Sequence, residues 1–419
     1  MSDSEVRWIP KEISWLSFNE RVLQEAADPS VPIIQRVRYL GIFSNNLDEF
    51  FRVRVADVRR LAAFSPPSKQ DEYRQLLEEI RAFVLDLQAR FDRTYLDTLK
   101  TLRKHKIFLV HEGQLDEAQV DFCRQYFANK IQPELVPIML DDNSPMPELN
   151  EASIYLAVRL QLEESVKFAL IEIPTSRLQR FVRIPQKGKR RGKVLIVLEN
   201  IIRVCLEEVF RGIFPLKSAE AYTIKLTRDA ELELGEEITE SFFERMSAGL
   251  KRRAKGDPVR FVYDEAMPDD LLSLLTRRMG MGKLDAVIPG GRYHNSKDFM
   301  GFPNLGPAYL ELKPMSVLTL PEVDDDPNIF SAIRDRDVLL YYPYHSFTYV
   351  ERMLKTAAID PAVKSIKISL YRVASNSHVV DALLNAVANH KQVTAIVELQ
   401  ARFDEQTNIE LATRLTDGG

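Results

Sequence analysis

The chain has 419 residues, too many for one ordinary hydrophobic core, so two to three domains are expected. An apolar share of 45% beside 28% charged residues excludes a disordered or fibrous chain. The formal net charge of -4 excludes a molecule built as a whole for nucleic acid, so any polyanion must be held by a local basic surface.

The start, Met1-Ser2-Asp3-Ser4-Glu5, is acidic with no apolar core behind it, and reads as no signal peptide. No apolar run approaches the length of a transmembrane segment, so a cytoplasmic protein is expected, with peripheral membrane association left open. Cys123 and Cys205 lie in amphipathic stretches without partners at metal-ligand spacing, and read as buried thiols of a reducing compartment.

Residues 1–106 read as a helical domain. Trp15, Leu16, Phe18, Val22 and Leu23 recur at helical spacing, and a second helix follows Pro32 through Ile33, Ile34, Val37 and Leu40. A third is expected from about Asn45 to Val58, before the break Ser65-Pro66-Pro67-Ser68, and a long fourth over 71–105. In Ser44-Asn45-Asn46-Leu47-Asp48-Glu49, Ser44 or Asn45 can cap the third helix, with Asp48 and Glu49 favouring the positive end of its dipole. Two adjacent asparagines exceed what a cap needs, so a nucleotide hydrogen bond from an asparagine at this helix start stands beside the cap reading.

Residues 107–318 read as an α+β domain around a mostly antiparallel sheet. Strand patterns cover 153–160, 168–173, 181–184, 194–198, 222–226 and 259–263, with helices over 201–210 and 238–251. Gly188-Lys189-Arg190-Arg191-Gly192-Lys193 reads as a solvated basic hairpin or a polyanion contact. It lacks the hydroxyl residue and following helix of a phosphate loop. Pro289-Gly290-Gly291-Arg292-Tyr293-His294-Asn295 is a tight turn in which Arg292 and His294 are candidate supporting residues. A domain-junction turn explains them equally.

Residues 319–419, after a polar linker at 322–328, read β-α-β-α-β-α. Strands are expected over 338–342, 363–370 and 393–399, with helices ending near 358, 389 and 416. The crossover lengths imply a parallel sheet, which binds ligands outside the carboxyl ends of its strands. Those ends carry Tyr344 and His345, then Tyr371 and Arg372, then Gln400, Arg402, Asp404 and Glu405. If the last two strands are neighbours, Arg372 and Arg402 can converge on one phosphate-sized anion through their planar forks. The alternative pairs each with Asp404, Glu405 or Asp381; the matched placement favours the anion. His105, His111, His378 and His390 sit in ordinary helical or loop settings.

Together these blocks resemble the phospholipase-D-like bacterial polyphosphate kinase family. Residues 13–23 (Ile-Ser-Trp-Leu-Ser-Phe-Asn-Glu-Arg-Val-Leu) and 43–51 (Phe-Ser-Asn-Asn-Leu-Asp-Glu-Phe-Phe) are similar to its helical N-terminal domain. Leu226-Thr227-Arg228-Asp229-Ala230-Glu231 and Pro289-Gly290-Gly291-Arg292-Tyr293-His294 resemble its head domain. The stretches 340–345, Tyr371-Arg372-Val373-Ala374 and 398–405 resemble the start of its first catalytic domain, a parallel-sheet phospholipase-D-like fold.

The resemblance implies reversible transfer of the ATP γ-phosphate to the end of a polyphosphate chain through a phosphohistidine, with Mg2+. ATP, ADP and polyphosphate are then the small partners, and a homo-oligomer is expected. It implies ATP contact at Asn45 and magnesium association at Arg372 and Arg402. A guanidinium is a poor Mg2+ ligand, so both arginines are expected to hold phosphate oxygens that bind the metal. The family's nucleophile lies in a His-x-Lys motif, and none of the six histidines here has lysine two positions on. The expectation is a chain truncated before that histidine and inactive as it stands. The alternative is an oligomerisation and phosphate-binding module. A phospholipase-D-like hydrolase is disfavoured by the lack of paired His-x-Lys motifs.

Overall fold

A computed structural model of the protein describes residues 8–141, 146–150, 153–185, 192–229, 258–282, 284–324, 328–374, 376–401 and 404–419. They fall into two compact units. One holds the described residues up to Asp229 and from Pro258 to Leu312; the other holds those from Lys313 to Gly419.

The first unit opens with helices α1 (Lys11–Ala27) and α2 (Ile33–Phe50), a wider π-helical turn over Phe51–Val55, α3 (Ala56–Phe64) and α4 (Pro67–Lys104). No helix starts at Asn45. Leu40, Phe43, Leu47 and Phe50 keep one face of α2 buried through that point, and this packing overrides the local capping preference of Ser44 and Asn45. At the π turn the adjacent Phe50 and Phe51 are both buried, with Trp15 stacked on Phe50 at 4.7 Å between centroids. Each such ring contributes about 1.5–3 kcal/mol of burial. The helices share one core with Ile107, Leu195, Phe299, Phe302 and Leu310. Gly41 permits a close approach to main chain, since a Cβ there would lie 2.5 Å from the Met300 main-chain nitrogen.

Strand β1 (Ile107–Val110) follows, then α5 (Glu117–Tyr126), β2 (Ile138–Leu140), β3 (Tyr155–Leu162), β4 (Val166–Glu172), β5 (Phe181–Ile184) and β6 (Lys193–Val197). After them come α6 (Leu198–Val204), α7 (Leu206–Phe210), β7 (Leu216–Arg228), β8 (Pro258–Asp264), α8 (Asp269–Arg278) and β9 (Ala286–Gly290). The single helix expected over 201–210 is two short ones meeting at Cys205. Strands β1, β2 and β9, absent from the sequence reading, are short and find their partners across long sequence gaps. The helix expected over 238–251 and most of the 188–193 loop lie outside the described residues.

A six-stranded sheet runs β2-β4-β3-β7-β8-β9, antiparallel except for the β8–β9 pair. A smaller one runs β1-β6-β5. In β3, Leu156, Val158 and Leu160 enter one core while Tyr155 and Ala157 enter another. In β7, Ile224 and Leu226 face the α8 core. The alternate residues Thr223, Lys225 and Thr227 are polar and equally buried.

The second unit contains α9 (Pro321–Asp324), α10 (Ile329–Asp335), α11 (Thr348–Ile359), β10 (Ser365–Leu370), α12 (His378–Ala388), β11 (Gln392–Val397) and α13 (Glu405–Asp417). β10 and β11 are parallel neighbours in register from Ser365–Gln392 to Leu370–Val397. Leu354, Ile366, Leu383, Ala386 and Leu411 anchor their core. The strand expected over 338–342 does not form. Leu339 and Tyr341 are exposed, the chain turns at the cis Tyr342–Pro343 bond, and only a Leu318–His345 bridge comes after it. An apolar run becomes a strand only where a neighbour takes its backbone groups, and among the described residues none does so here.

Candidate functional site

Because β10 and β11 end level, the residues after each strand emerge on one edge of the second unit. Asn408, buried in α13, ties those ends together. Its Nδ2 donates to the Tyr371 carbonyl at 2.8 Å and the Glu398 carbonyl at 2.7 Å. The sequence reading misses this clamp, since helix pattern alone gives Asn408 no partner. Arg372 leaves the edge half-exposed, its Nε 3.0 Å from Asp404 Oδ2 and its guanidinium 5.6 Å from the Tyr371 ring centroid. The pairing with Asp404 named as the alternative for Arg372 is therefore present. Arg402 lies outside the described residues. His345 is half-buried and accepts the Tyr341 N–H on Nδ1 at 2.9 Å, holding the turn together.

No group of three His, Cys, Asp or Glu side chains among the described residues could hold a metal ion. The donor chemistry at this edge fits phosphate oxygens rather than a cation: a guanidinium supplies N–H groups and no lone pair.

The remaining candidates belong to the first unit. Asn45 is half-buried in mid-α2. Its neighbour Asn46 donates to Asn19 Oδ1 at 3.1 Å, and Asn19 donates to the Phe43 carbonyl at 3.1 Å. Arg292 is paired with Glu112. One turn beyond Asn45, Asp48 reaches both Lys225 on β7 and Arg260 on β8. The guanidinium of Arg260 lies 4.4 Å from the Phe51 ring centroid. His294 is buried beside them. Gly290 makes room for it, since a Cβ there would meet His294 Cε1 at 2.9 Å. A cavity of about 50 Å3 opens at this point, with Asp48, Lys225, Arg260, His294, Asn295 and Ser296 in its wall.

Burial alone would raise the Asp48 pKa, but the two cations outweigh it and hold the carboxyl below its ordinary range. Burial, reinforced by Arg260 and opposed by Asp48, brings Lys225 down to about 8. Burial with Lys225 and Arg260 brings His294 down to about 3, so the ring is neutral at pH 7. Behind the His294–Asn295 backbone lies Arg180. It donates to Glu199 at 2.5 Å, to the Asn295 carbonyl at 2.6 Å and to the His294 carbonyl at 3.0 Å. Sequence reading gives Asp48 only a helix-dipole role and does not single out Lys225, Arg260 or Arg180. A lysine inside the apolar run 222–226 is the one available signal.

Fold and sites together define a multi-domain protein of mixed helix and sheet. Sequence models of three polyphosphate kinase domains match in order: the N-terminal domain over 8–110, the middle domain over 118–302 and C-terminal domain 1 over 328–419. The chain is 49% identical over 414 residues to the polyphosphate kinase of Vibrio vulnificus (strain YJ016), covering 98% of this chain and 59% of that protein. It is 45% identical over 416 residues to that of Escherichia coli (strain K12), covering 98% and 60%. A crystal structure of polyphosphate kinase from Porphyromonas gingivalis superposes with a TM-score of 0.75 at 32% identity, over 99% of this chain and 59% of that one. The chain belongs to the polyphosphate kinase family, and spans about three fifths of the length of these relatives. No helix among the described residues is long and apolar enough to cross a membrane.

Proposed function

We propose that the chain serves an ATP-polyphosphate phosphotransferase, moving the ATP γ-phosphate reversibly to the end of a polyphosphate chain, in the cytoplasm and as a homo-oligomer. The ordered match to three polyphosphate kinase domains carries this reading. On it, Asn45 contacts the nucleotide. Arg372, presented at the carboxyl edge of a parallel sheet, exchanges Asp404 for phosphate oxygens, and Arg402 joins it. Magnesium, arriving on those oxygens, would supply further charge neutralisation. Phosphoryl transfer depends chiefly on such positioning and neutralisation.

The test is a chimera in which residues 1–419 replace the matching region of the Vibrio vulnificus relative. Polyphosphate synthesis should be retained, and Arg372→Ala should lower it about 10²-fold. The same change should shift stability by less than about 1 kcal/mol, because the ion pair with Asp404 is solvent-exposed. A folded chimera without synthesis would overturn the reading.

The phosphohistidine step has no carrier among these residues, since no His-x-Lys occurs in them. Incubated alone with γ-labelled ATP and Mg2+, the 419-residue chain should acquire no acid-labile label. Stable labelling would assign the step to one of the six histidines present.

A further inference from the structure

We propose that Asn408 is a positioning residue for phosphoryl transfer, placing Arg372 and its counter-ion Asp404 at the carboxyl edge of the β10–β11 sheet. The inference rests on the phosphotransferase reading and adds to it the group that aims the arginine.

Three features carry it. The first is the place where sheet bonding stops. The last ladder bond runs from the Glu398 N–H to the Leu370 carbonyl, at 3.0 Å. In a parallel pair the next bond would join the Arg372 N–H to the Glu398 carbonyl. That carbonyl instead accepts from Asn408 Nδ2 at 2.7 Å, and the same nitrogen donates to the Tyr371 carbonyl at 2.8 Å. The Glu398 side chain turns onto the Gln400 N–H at 2.9 Å, and the chain bends at Tyr371 and Arg372. The segment carrying Arg372 thus leaves the sheet at a point that Asn408 fixes.

The second is the hold on the arginine's partner. The Asn408 N–H donates to the Asp404 carbonyl at 2.8 Å, and the Asp404 N–H to the Ala401 carbonyl at 2.9 Å. Asp404 Oδ2 in turn lies 3.0 Å from Arg372 Nε. The peptide that links Tyr371 to Arg372, and the residue that pairs with Arg372, are each one hydrogen bond from Asn408. A guanidinium that exchanges a carboxylate for phosphate oxygens needs both ends of that exchange held in place.

The third is the chemistry of the side chain. Bridging two carbonyls from one short, neutral side chain requires two N–H groups on a single atom. A primary amide supplies them; a hydroxyl, a carboxylate or an alkyl group does not. Asn408 is fully buried, which keeps water from serving the carbonyls in its place. Its Oδ1 is buried too, with no partner among the described residues, so the side chain is used for its donors alone.

The experiment measures polyphosphate synthesis by the chimera carrying Asn408→Leu, Arg372→Ala or both. Asn408→Leu should lower kcat at least about tenfold, as misplacement of a charge-neutralising group does. Added to Arg372→Ala it should cost less than about twofold more, because a residue that acts through Arg372 then has nothing left to place. In the 419-residue chain, Asn408→Leu should shift the Nε–Hε NMR signal of Arg372 and leave the Leu354 and Leu383 methyl signals of the core in place. Asn408→Ser keeps one donor and makes room for a water on the other carbonyl. It should cost about fivefold, again with less than about twofold on the Arg372→Ala background, and it decides the matter if the leucine variant does not fold. Losses that multiply in the double variants, or an Arg372 signal that does not move, would reduce Asn408 to a structural clamp and overturn the proposal. A chimera without these substitutions that makes no polyphosphate would instead overturn the phosphotransferase reading, and the Arg372 signal would still show whether Asn408 places it.

Discussion

Replacing Arg180 with alanine is expected to destabilise the first unit by about 3–5 kcal/mol, the cost of breaking a buried ion pair from one side. Arg180 and Glu199 side chains are 3% and 0% exposed, so neither can recover its charge interactions from water. Removing the guanidinium leaves the Glu199 carboxylate buried without its cation. The His294 and Asn295 carbonyls lose their donors at the same stroke. Asn295 also sits in the left-handed region, at φ 56°, which a non-glycine residue holds only when its surroundings fix it. Urea unfolding of Arg180→Ala should therefore show a large fall in midpoint. Arg180→Lys, which keeps the charge but loses the fork, should recover only part of it. The double change Arg180→Met with Glu199→Leu is the control, since exchanging both partners for apolar groups should cost much less than Arg180→Ala. Equal losses for single and double variants would mean that volume, not charge, is what Arg180 contributes.

The parts of the fold that can be read from sequence divide from the rest by distance along the chain. Helices α1, α4 and α11, and strands β4 through β8, announce themselves by local periodicity, and β10 and β11 are parallel neighbours as the crossover length requires. Elsewhere a distant partner decides. Ser44 and Asn45 look like a helix start until Phe43, Leu47 and Phe50 are packed on one core. The run 338–342 looks like a strand, and among the described residues no neighbouring strand pairs with it. Asp48 meets Lys225 across 177 positions and Arg260 across 212, and Arg292 meets Glu112 across 180. No window of sequence contains both members of any of these pairs. For the same reason Arg292 looks available for function in the sequence, while the buried polar face of β7 looks like half of an ordinary amphipathic strand.

The second large effect belongs to the same polar face: Asp48→Asn should cost about 3–5 kcal/mol, whereas Lys225→Met should cost far less. The asymmetry comes from the charge count. Loss of Asp48 strands two buried cations, while loss of Lys225 leaves Arg260 and Asp48 as a matched pair. The two groups also titrate in different ranges. The Asp48 pKa is depressed in the folded state, so its contribution is present above the ordinary carboxylate value and is lost as pH falls through the folded value. The Lys225 pKa is lowered to about 8 from 10.5. Between those values the unfolded chain binds more protons than the folded one, so this group makes stability rise with pH, by on the order of 3 kcal/mol. Groups elsewhere oppose that trend. Burial pushes Cys123 up to about 11 and Cys205 up to about 12, and both favour unfolding as pH climbs above 9. The stability of the wild-type protein minus that of Lys225→Met cancels those terms. It should be flat below about pH 8 and climb from there towards pH 10.5. His294 beside the amine, brought down to about 3, is neutral across that range. A difference that stays flat through pH 10 would show that folding does not lower the Lys225 pKa, and one already climbing below pH 7 would show that the amine is neutral at pH 7; either result would overturn the value of about 8.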